Sequence, residues 1–280
     1  PPPPPFSSRR RNTRLHEKSR GLGDVYKRQM LEGDADPALS IFEHMHMSSA
    51  LIGKLIAELK KRQITQLVLV GTVQARPKWS DFRPDLTTLK LLTRIISGLK
   101  SGDNVLLSNV VNAIEEAGIK VVGVHEILPQ LLAINGVIAG SKPTKTMLDS
   151  IRVGADAATR LGALDAGQGV VVIGRRIVAL EGAEGTDQML HRVAELRKAG
   201  KLPQKAGGVL VKLCKPQQDR RIDMPTIGVR TVQNAAAAGI KGIAIHAGST
   251  LINNIDEVCA LADQHNMFIF GHQPEQSGHS

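Results

Sequence analysis

Aromatic side chains are nearly missing from this chain: they make up 2% of its 280 residues, with a single Trp and a single Tyr. Proteins that hold single-stranded nucleic acid stack its bases on such rings, so the shortage argues against a nucleic-acid partner and demands an aliphatic core. Cysteine is as scarce. Cys214 and Cys259 are too few for a disulfide scaffold and lie in apolar segments, which points to buried, reduced thiols and a cytoplasmic protein. No apolar run approaches the roughly 18 residues that span a bilayer, and no signal-peptide core is visible, so the chain reads as soluble or peripheral. Several catalytic signatures are absent as well. There is no Gly-x-Gly-x-x-Gly turn, no Walker-type Gly-Lys-Ser/Thr loop and no Gly-x-Ser-x-Gly elbow, which leaves ordinary dinucleotide, ATP-cradling and α/β-hydrolase readings without an anchor. Zinc-ligand spacing and the His-x-Asp patterns of many phosphoesterases are missing too. Any metal must then be held mostly by carboxylates, as Mg²⁺ prefers.

What the chain does have is 42% apolar residues, enough to bury a substantial core in two domains. Its formal charge of +10 is unevenly spread: in residues 1–30 eight basic side chains face Glu17 and Asp24, which accounts for +6. That opening has five consecutive prolines and an Arg-rich run with almost no apolar periodicity, so it is expected to be disordered. Its strings Ser7 to Arg14 and Asp24 to Gln29 resemble read-through of sequencing-library adapter DNA, and it is set aside as non-native. The alternative is a basic tail for nucleic acid or acidic lipid, or a transit peptide.

Ile52, Leu55, Ile56 and Leu59 recur at helical spacing, and the apolar run Gln66 to Val70 reads as a strand covered on both faces. A charged loop follows to Leu86, carrying Thr72 and Arg76. Helices are expected at Thr88 to Leu99 and Val105 to Ala117, then a strand at Ile119 to Val124. Gly, Ser, Lys and Pro between Gly136 and Pro143 mark a junction between domains. Beyond it come a helix at Thr144 to Leu161 with Gly154 as an imperfection, and two strands flanking Gly174-Arg175 as a β-hairpin. A helix at Gln188 to Ala199 is expected to be capped by Thr186 or Asp187. A strand at Gly208 to Leu213, a helix at Thr231 to Ala238, a strand at Gly242 to Ile245, a helix at Asn254 to His265 and a strand at Met267 to Phe270 complete the order. The fold class is α/β.

The stretch most suited to chemistry runs from Lys212 to Gly228. It gathers Lys212, Lys215, Arg220, Arg221, Asp219 and Asp223, held out of helix by Pro216 and Pro225. The cations can surround phosphate oxygens, while Asp219 and Asp223 can hold a divalent metal or orient a water, a mixture suited to phosphoryl chemistry. A solvated loop of self-neutralising charge is the plainer alternative. Its place between a buried strand and a helix favours a site, because ligands of open α/β sheets collect at the carboxyl ends of strands. Glu181, Glu184 and Asp187 stand between a strand end and a helix start, where they can bind a metal or a ribose hydroxyl, or simply complement the helix dipole. Gly167-Gln168-Gly169 can bring backbone close to a ligand or merely turn the chain.

The blocks Leu164 to Gly169, Glu181 to Leu190 and Lys212 to Gly228 resemble the UDP-2,3-diacylglucosamine pyrophosphatase family of lipid A biosynthesis, the type unrelated to the calcineurin-like phosphoesterase. Val70 to Pro77, Phe82 to Asp85, Ser101 to Asn104 and Gly123 to Glu126 are similar to the amino-terminal half of the same family, and the likeness covers about Leu31 to Gly271. The resemblance implies Mg²⁺-dependent hydrolysis of UDP-2,3-diacylglucosamine to UMP and 2,3-diacylglucosamine 1-phosphate. It also implies an amino-terminal Rossmann-like domain, a distinct carboxyl-terminal α/β domain, and a homodimer. The family's essential aspartate falls on Asp223. Two departures stand out: the adapter-like segment replaces the family's first strand, Gly-rich loop and helix, and Asn104 replaces an acidic residue after Asp103.

The expected organisation is a non-native segment at 1–30, a truncated Rossmann-like domain at 31–138, a catalytic domain at 139–274 and a tail at 275–280. Asp223 is the expected catalytic residue and, with Asp219, a Mg²⁺ ligand. Lys212, Lys215 and Arg221 would neutralise the pyrophosphate, and Thr72, Arg76, Gln168, Thr186, Asp187 and Thr226 would contact substrate. The expected partner is a lipid-linked nucleotide sugar met by peripheral contact with the inner membrane, with no nucleic acid. A non-catalytic protein that binds a nucleotide sugar or nucleic acid is the competing class.

Overall fold

The computed structural model describes residues 28–31, 44–47, 52–71, 103–203 and 207–274. Thr72, Arg76 and the helix expected at Thr88 to Leu99 lie outside the described residues. The chain divides into two units, Pro1–Val122 and Gly123–Ser280.

In the first unit, β1 (Arg28–Leu31) pairs in parallel with β2 (His44–Met47), so this strand takes in three residues of the segment set aside above. Helix α1 (Ile52–Lys61) follows the expected spacing, burying Ile56 and Leu59 and ending on Lys60 and Lys61, whose charges complement the helix dipole. Strand β3 (Gln66–Leu67) pairs in parallel with β4 (Lys120–Val121), and between them α2 (Asp103–Glu116) buries Val111 and Ile114. Only two residues of the expected strand Gln66 to Val70 are paired, and Val70 is 79% exposed. The run was read as covered on both faces from its apolarity alone, but hydropathy does not supply a neighbour, and β4 is too short to pair with Val68 to Val70.

The second unit opens with a short helix, α3 (Val124–Ile127), whose start is tied by Gly123 N donating to Glu126 Oε1 at 2.7 Å. Its body is a six-stranded sheet in the order β5-β12-β10-β8-β6-β7. Strands β8 (Gly208–Lys212), β10 (Ile240–His246) and β12 (Phe268–His272) are parallel, while β5 (Gly136–Ala139) and β6 (Gly169–Ile173) run the other way. Strand β7 (Arg176–Leu180) returns from β6 through Gly174 and Arg175, both at positive φ (52° and 67°), the two-residue turn whose twist matches a hairpin. The stretch from Gly136, not read as a strand, carries edge strand β5. Its four residues are too few to rise above a Gly-, Ser- and Pro-rich surrounding.

Both faces of this sheet are covered, which is why β6 and β8 are buried along their whole length. On one face α4 (Lys145–Ala163) packs Ile151, Ala155 and Ala158 onto Val170, Val172, Val209 and Val211. Thr144 caps it, its Oγ1 accepting from Met147 N at 3.3 Å. On the other face α5 (Gly185–Lys198), α6 (Val229–Ala237) and α7 (Ile255–Gln264) press Leu190, Val193, Val232, Ala235 and Val258 against Val171, Leu210, Ile243 and Ile245. Gly154 is no imperfection. A Cβ there would lie 2.5 Å from Val211 Cγ2, so the missing side chain is what lets α4 approach the sheet.

Two short parallel strands, β9 (Thr226–Ile227) and β11 (Leu251–Ile252), pair beside the main sheet and pin the end of the charged loop. Leu251 N donates to Pro225 O at 2.9 Å.

Candidate active site

The direction of each strand decides which residues meet. β8 and β10 end where β6 begins and where β7 ends, so Lys212, His246, Gly169 and the residue after Leu180 share one sheet edge. The register places Lys212 opposite both Gly169 and Ile245, and His246 opposite His272.

Lys212 is 7% exposed. Its Nζ donates to Thr186 Oγ1 at 2.6 Å, and that hydroxyl donates to Glu181 Oε1 at 3.0 Å. Burial lowers the Lys212 pKa, while the charges of Glu181, Asp187 and Asp223 oppose the shift. The other Glu181 oxygen, Oε2, is buried without a hydrogen-bond partner. It lies where a Cβ of Gly169 would overlap it, and a Cβ at Gly167 would overlap the Glu181 carbonyl. Gly167 and Gly169 therefore make room for Glu181, which is the physical reason for the Gly-Gln-Gly string. Gln168 between them holds its Oε1 buried and without a partner, and its backbone carbonyl accepts from Leu213 N at 3.0 Å beside the same edge.

The loop after β8 is organised by a residue the sequence reading passed over. Gln218, 7% exposed, donates from Nε2 to Asp223 Oδ2 at 2.6 Å. Its Oε1 accepts from Lys215 N at 3.1 Å and from the Cys214 thiol at 3.4 Å. One amide thus fixes the carboxylate at one end of the loop to the backbone at the other. Burial raises the Cys214 pKa against the opposing charge of Arg220, so the thiol stays protonated at neutral pH. A glutamine in a charged loop gave no signal of its own, since its role depends on the loop's path.

The remaining expected residues divide. Asp219 and Arg221 close on each other: Arg221 Nη2 and Nε donate to the Asp219 carboxylate at 2.7 and 3.0 Å, and its backbone N adds a third bond at 3.0 Å. That bonding holds the Asp219 pKa below the usual carboxylate value. Lys215 pairs with Asp165 at 2.8 Å. Asp187 does not cap α5, and neither does Thr186. The turn at Gly185, φ +78°, starts the helix earlier, leaving Glu184 at the cap position. Asp187 instead ties α5 to α6, accepting from Asn234 Nδ2 at 2.9 Å and pairing with Arg230 at 2.8 Å. Thr226 is exposed on β9, its Oγ1 donating to Met224 O at 3.2 Å.

Among the described residues, no three His, Cys, Asp or Glu side chains converge into a ready-made metal cage. Mg²⁺ needs none, since it commonly takes one or two carboxylates and completes its shell with phosphate oxygens and water. Half-buried Asp223 fits that demand as a protein anchor, whereas Asp219 would have to give up Arg221. A cavity of about 660 Å³ opens at the opposite edge, by Ala139, Lys142, Lys241 and Asp263, and contains none of the candidate residues.

This arrangement defines a class: an α/β protein whose strand ends gather a buried lysine, carboxylates and a cation-rich loop, the setting in which phosphorylated ligands are handled. The chain belongs to the LpxI family. Residues 21–131 match the LpxI N-terminal domain and residues 134–270 the LpxI C-terminal domain. A protein of Caulobacter vibrioides named UDP-2,3-diacylglucosamine pyrophosphatase LpxI is 34% identical over 256 residues, covering 91% of each chain. The family resemblance drawn from the sequence blocks is thereby borne out. No helix among the described residues is long and apolar enough to cross a membrane.

Proposed function

We propose that this protein hydrolyses the pyrophosphate bond of UDP-2,3-diacylglucosamine, giving UMP and 2,3-diacylglucosamine 1-phosphate in lipid A biosynthesis. The observation that carries the reading is Asp223, in the block that resembles the family's, standing within electrostatic reach of buried Lys212 and clamped by Gln218. In the reaction a water oxygen forms a bond to one phosphorus and gives up a proton to solvent, the bond from that phosphorus to the bridging oxygen breaks, and its electrons leave on the departing phosphate. Lys212 offsets the negative charge that gathers on the phosphate oxygens, in a site where burial strengthens each interaction. Thr186 and Glu181 hold its ammonium in place. Asp223 orients the water or anchors Mg²⁺, which when bound supplies charge neutralisation on the phosphates. Lys215, Arg221, Gln168 and Thr226 serve as substrate contacts in this reading. A homodimer in the cytoplasm, meeting its lipid substrate peripherally at the inner membrane, completes it.

The test is UMP release from the diacyl substrate in detergent, with and without Mg²⁺, for the parent and Asp223→Ala. Turnover should fall by about a hundredfold or more, while the unfolding profile keeps its shape. UMP release by the variant at the parent's rate would remove Asp223 from the mechanism. A parent that binds substrate yet never releases UMP would be a carrier.

A further inference from the structure

Strand β10 ends at the same sheet edge as Lys212, one strand further in, and carries a polar atom that the mechanism above does not use. His246 Nδ1 is buried and has no hydrogen-bond partner. Burying an imidazole nitrogen without a partner costs free energy unless a ligand supplies the missing bond. Two neighbours suggest what kind of ligand. His272 ends β12 directly opposite His246 in the register. Arg220, from the charged loop, donates to the Gly248 carbonyl just past β10, and its charge acts on His246. A guanidinium has five N–H donors, and this bond engages only one nitrogen of the three. Burial, Arg220 and His272 together lower the His246 pKa, so the imidazole is neutral at pH 7 and offers one N–H without a charge of its own.

The sheet edge therefore has two polar centres. Lys212, Thr186, Glu181 and Asp223 form the first. His246, Arg220 and His272 form the second, and each of these residues carries at least one N–H donor. A diphosphate ester needs two such centres, since each phosphoryl group carries its own oxygens.

We infer that His246 is a further substrate-contacting residue, donating from Nδ1 to the phosphoryl group that Lys212 does not serve, with Arg220 beside it. The inference rests on the pyrophosphatase reading but is tested separately from it. Asparagine places its amide where Nδ1 stands, whereas glutamine places its amide near the position of Nε2, so the two variants separate a contact through Nδ1 from mere filling of space. The experiment compares His246→Ala, His246→Asn, His246→Gln and Arg220→Gln with the parent, by UMP release and by calorimetric titration with uridine diphosphate. Circular dichroism reports on the fold.

His246→Ala and His246→Gln should each raise KM and weaken uridine diphosphate binding by about tenfold, while His246→Asn stays within about threefold of the parent. Arg220→Gln, on an exposed side chain, should weaken binding in the same sense without altering the fold. If His246→Ala does not fold, the contrast between asparagine and glutamine decides. Binding by His246→Ala within twofold of the parent, or by the asparagine variant no better than the glutamine one, would overturn the inference. If the parent binds uridine diphosphate yet releases no UMP, the pyrophosphatase reading fails, and the binding comparison still judges His246.

Discussion

Gln218→Glu changes one atom in the loop and should turn a clamp into a pH switch. The glutamine amide donates to Asp223 Oδ2 at 2.6 Å, and its oxygen accepts from Lys215 N and the Cys214 thiol. The introduced carboxyl keeps the accepting oxygen and replaces the donor with a second acidic oxygen against Asp223. A charge-assisted bond worth about 1.5–3 kcal/mol is lost when both groups are ionised. Two unit charges about 4 Å apart in a partly buried site also repel by about 4 kcal/mol. The pair avoids this by retaining one proton, and the protonated introduced carboxyl then donates to Asp223 much as the amide does. The retained proton is lost as pH rises, so activity should be closest to the parent near pH 5 and fall progressively by about two orders of magnitude toward pH 8. UMP release measured across that range for both proteins checks the expectation. A variant whose pH profile parallels the parent's would show that Gln218 does not hold the carboxylate used in turnover.

Gly154→Ala gains about 1 kcal/mol of helix propensity, yet its Cβ meets Val211 at 2.5 Å, so a net loss of about 1–2 kcal/mol should appear in chemical unfolding with activity per folded molecule unchanged. Gly169→Ala should displace Glu181 and lower kcat about tenfold or more, a loss to be read in initial rates. Lys212→Met removes the ammonium that donates to Thr186 Oγ1 and should cost about 1.5–3 kcal/mol in denaturant unfolding besides abolishing UMP release. The His246 pKa is lowered from 6.5 by burial, Arg220 and His272, so the unfolded chain binds the proton that the folded one refuses. Stability should therefore climb as pH rises toward 6.5 and level above it, and His246→Asn should flatten that slope in unfolding curves taken between about pH 5 and 7.

The sequence was most legible where a local cause acts alone. The spacing of Ile52, Leu55, Ile56 and Leu59 sets α1, and Gly174-Arg175 between two apolar runs sets the β6–β7 hairpin, because each pattern fixes its own backbone. The site was legible to the extent that it lies in one loop: Lys212 and Asp223 were singled out by charge and by flanking prolines. Strand β5 was lost because its partner β12 lies about 130 residues further along. Thr186 and Asp187 were read as caps because they precede a helix, yet Lys212 and Arg230 engage them from elsewhere in the fold.

The chain's own composition and order settled that the protein is α/β, that its core is aliphatic, and that its cations and carboxylates gather after one buried strand. Hydrophobic periodicity, turn residues and prolines act over a few neighbours, and those are present in any window of the text. Tertiary structure alone decided which of these side chains are joined. Strand direction and register brought Glu181, Gln168 and His246 to the edge that Lys212 occupies, made Gln218 the clamp on Asp223, and closed Asp219 onto Arg221. Long-range pairing is the physical reason: a side chain's partner is fixed by where the sheet puts it, and no local pattern in the sequence encodes that position.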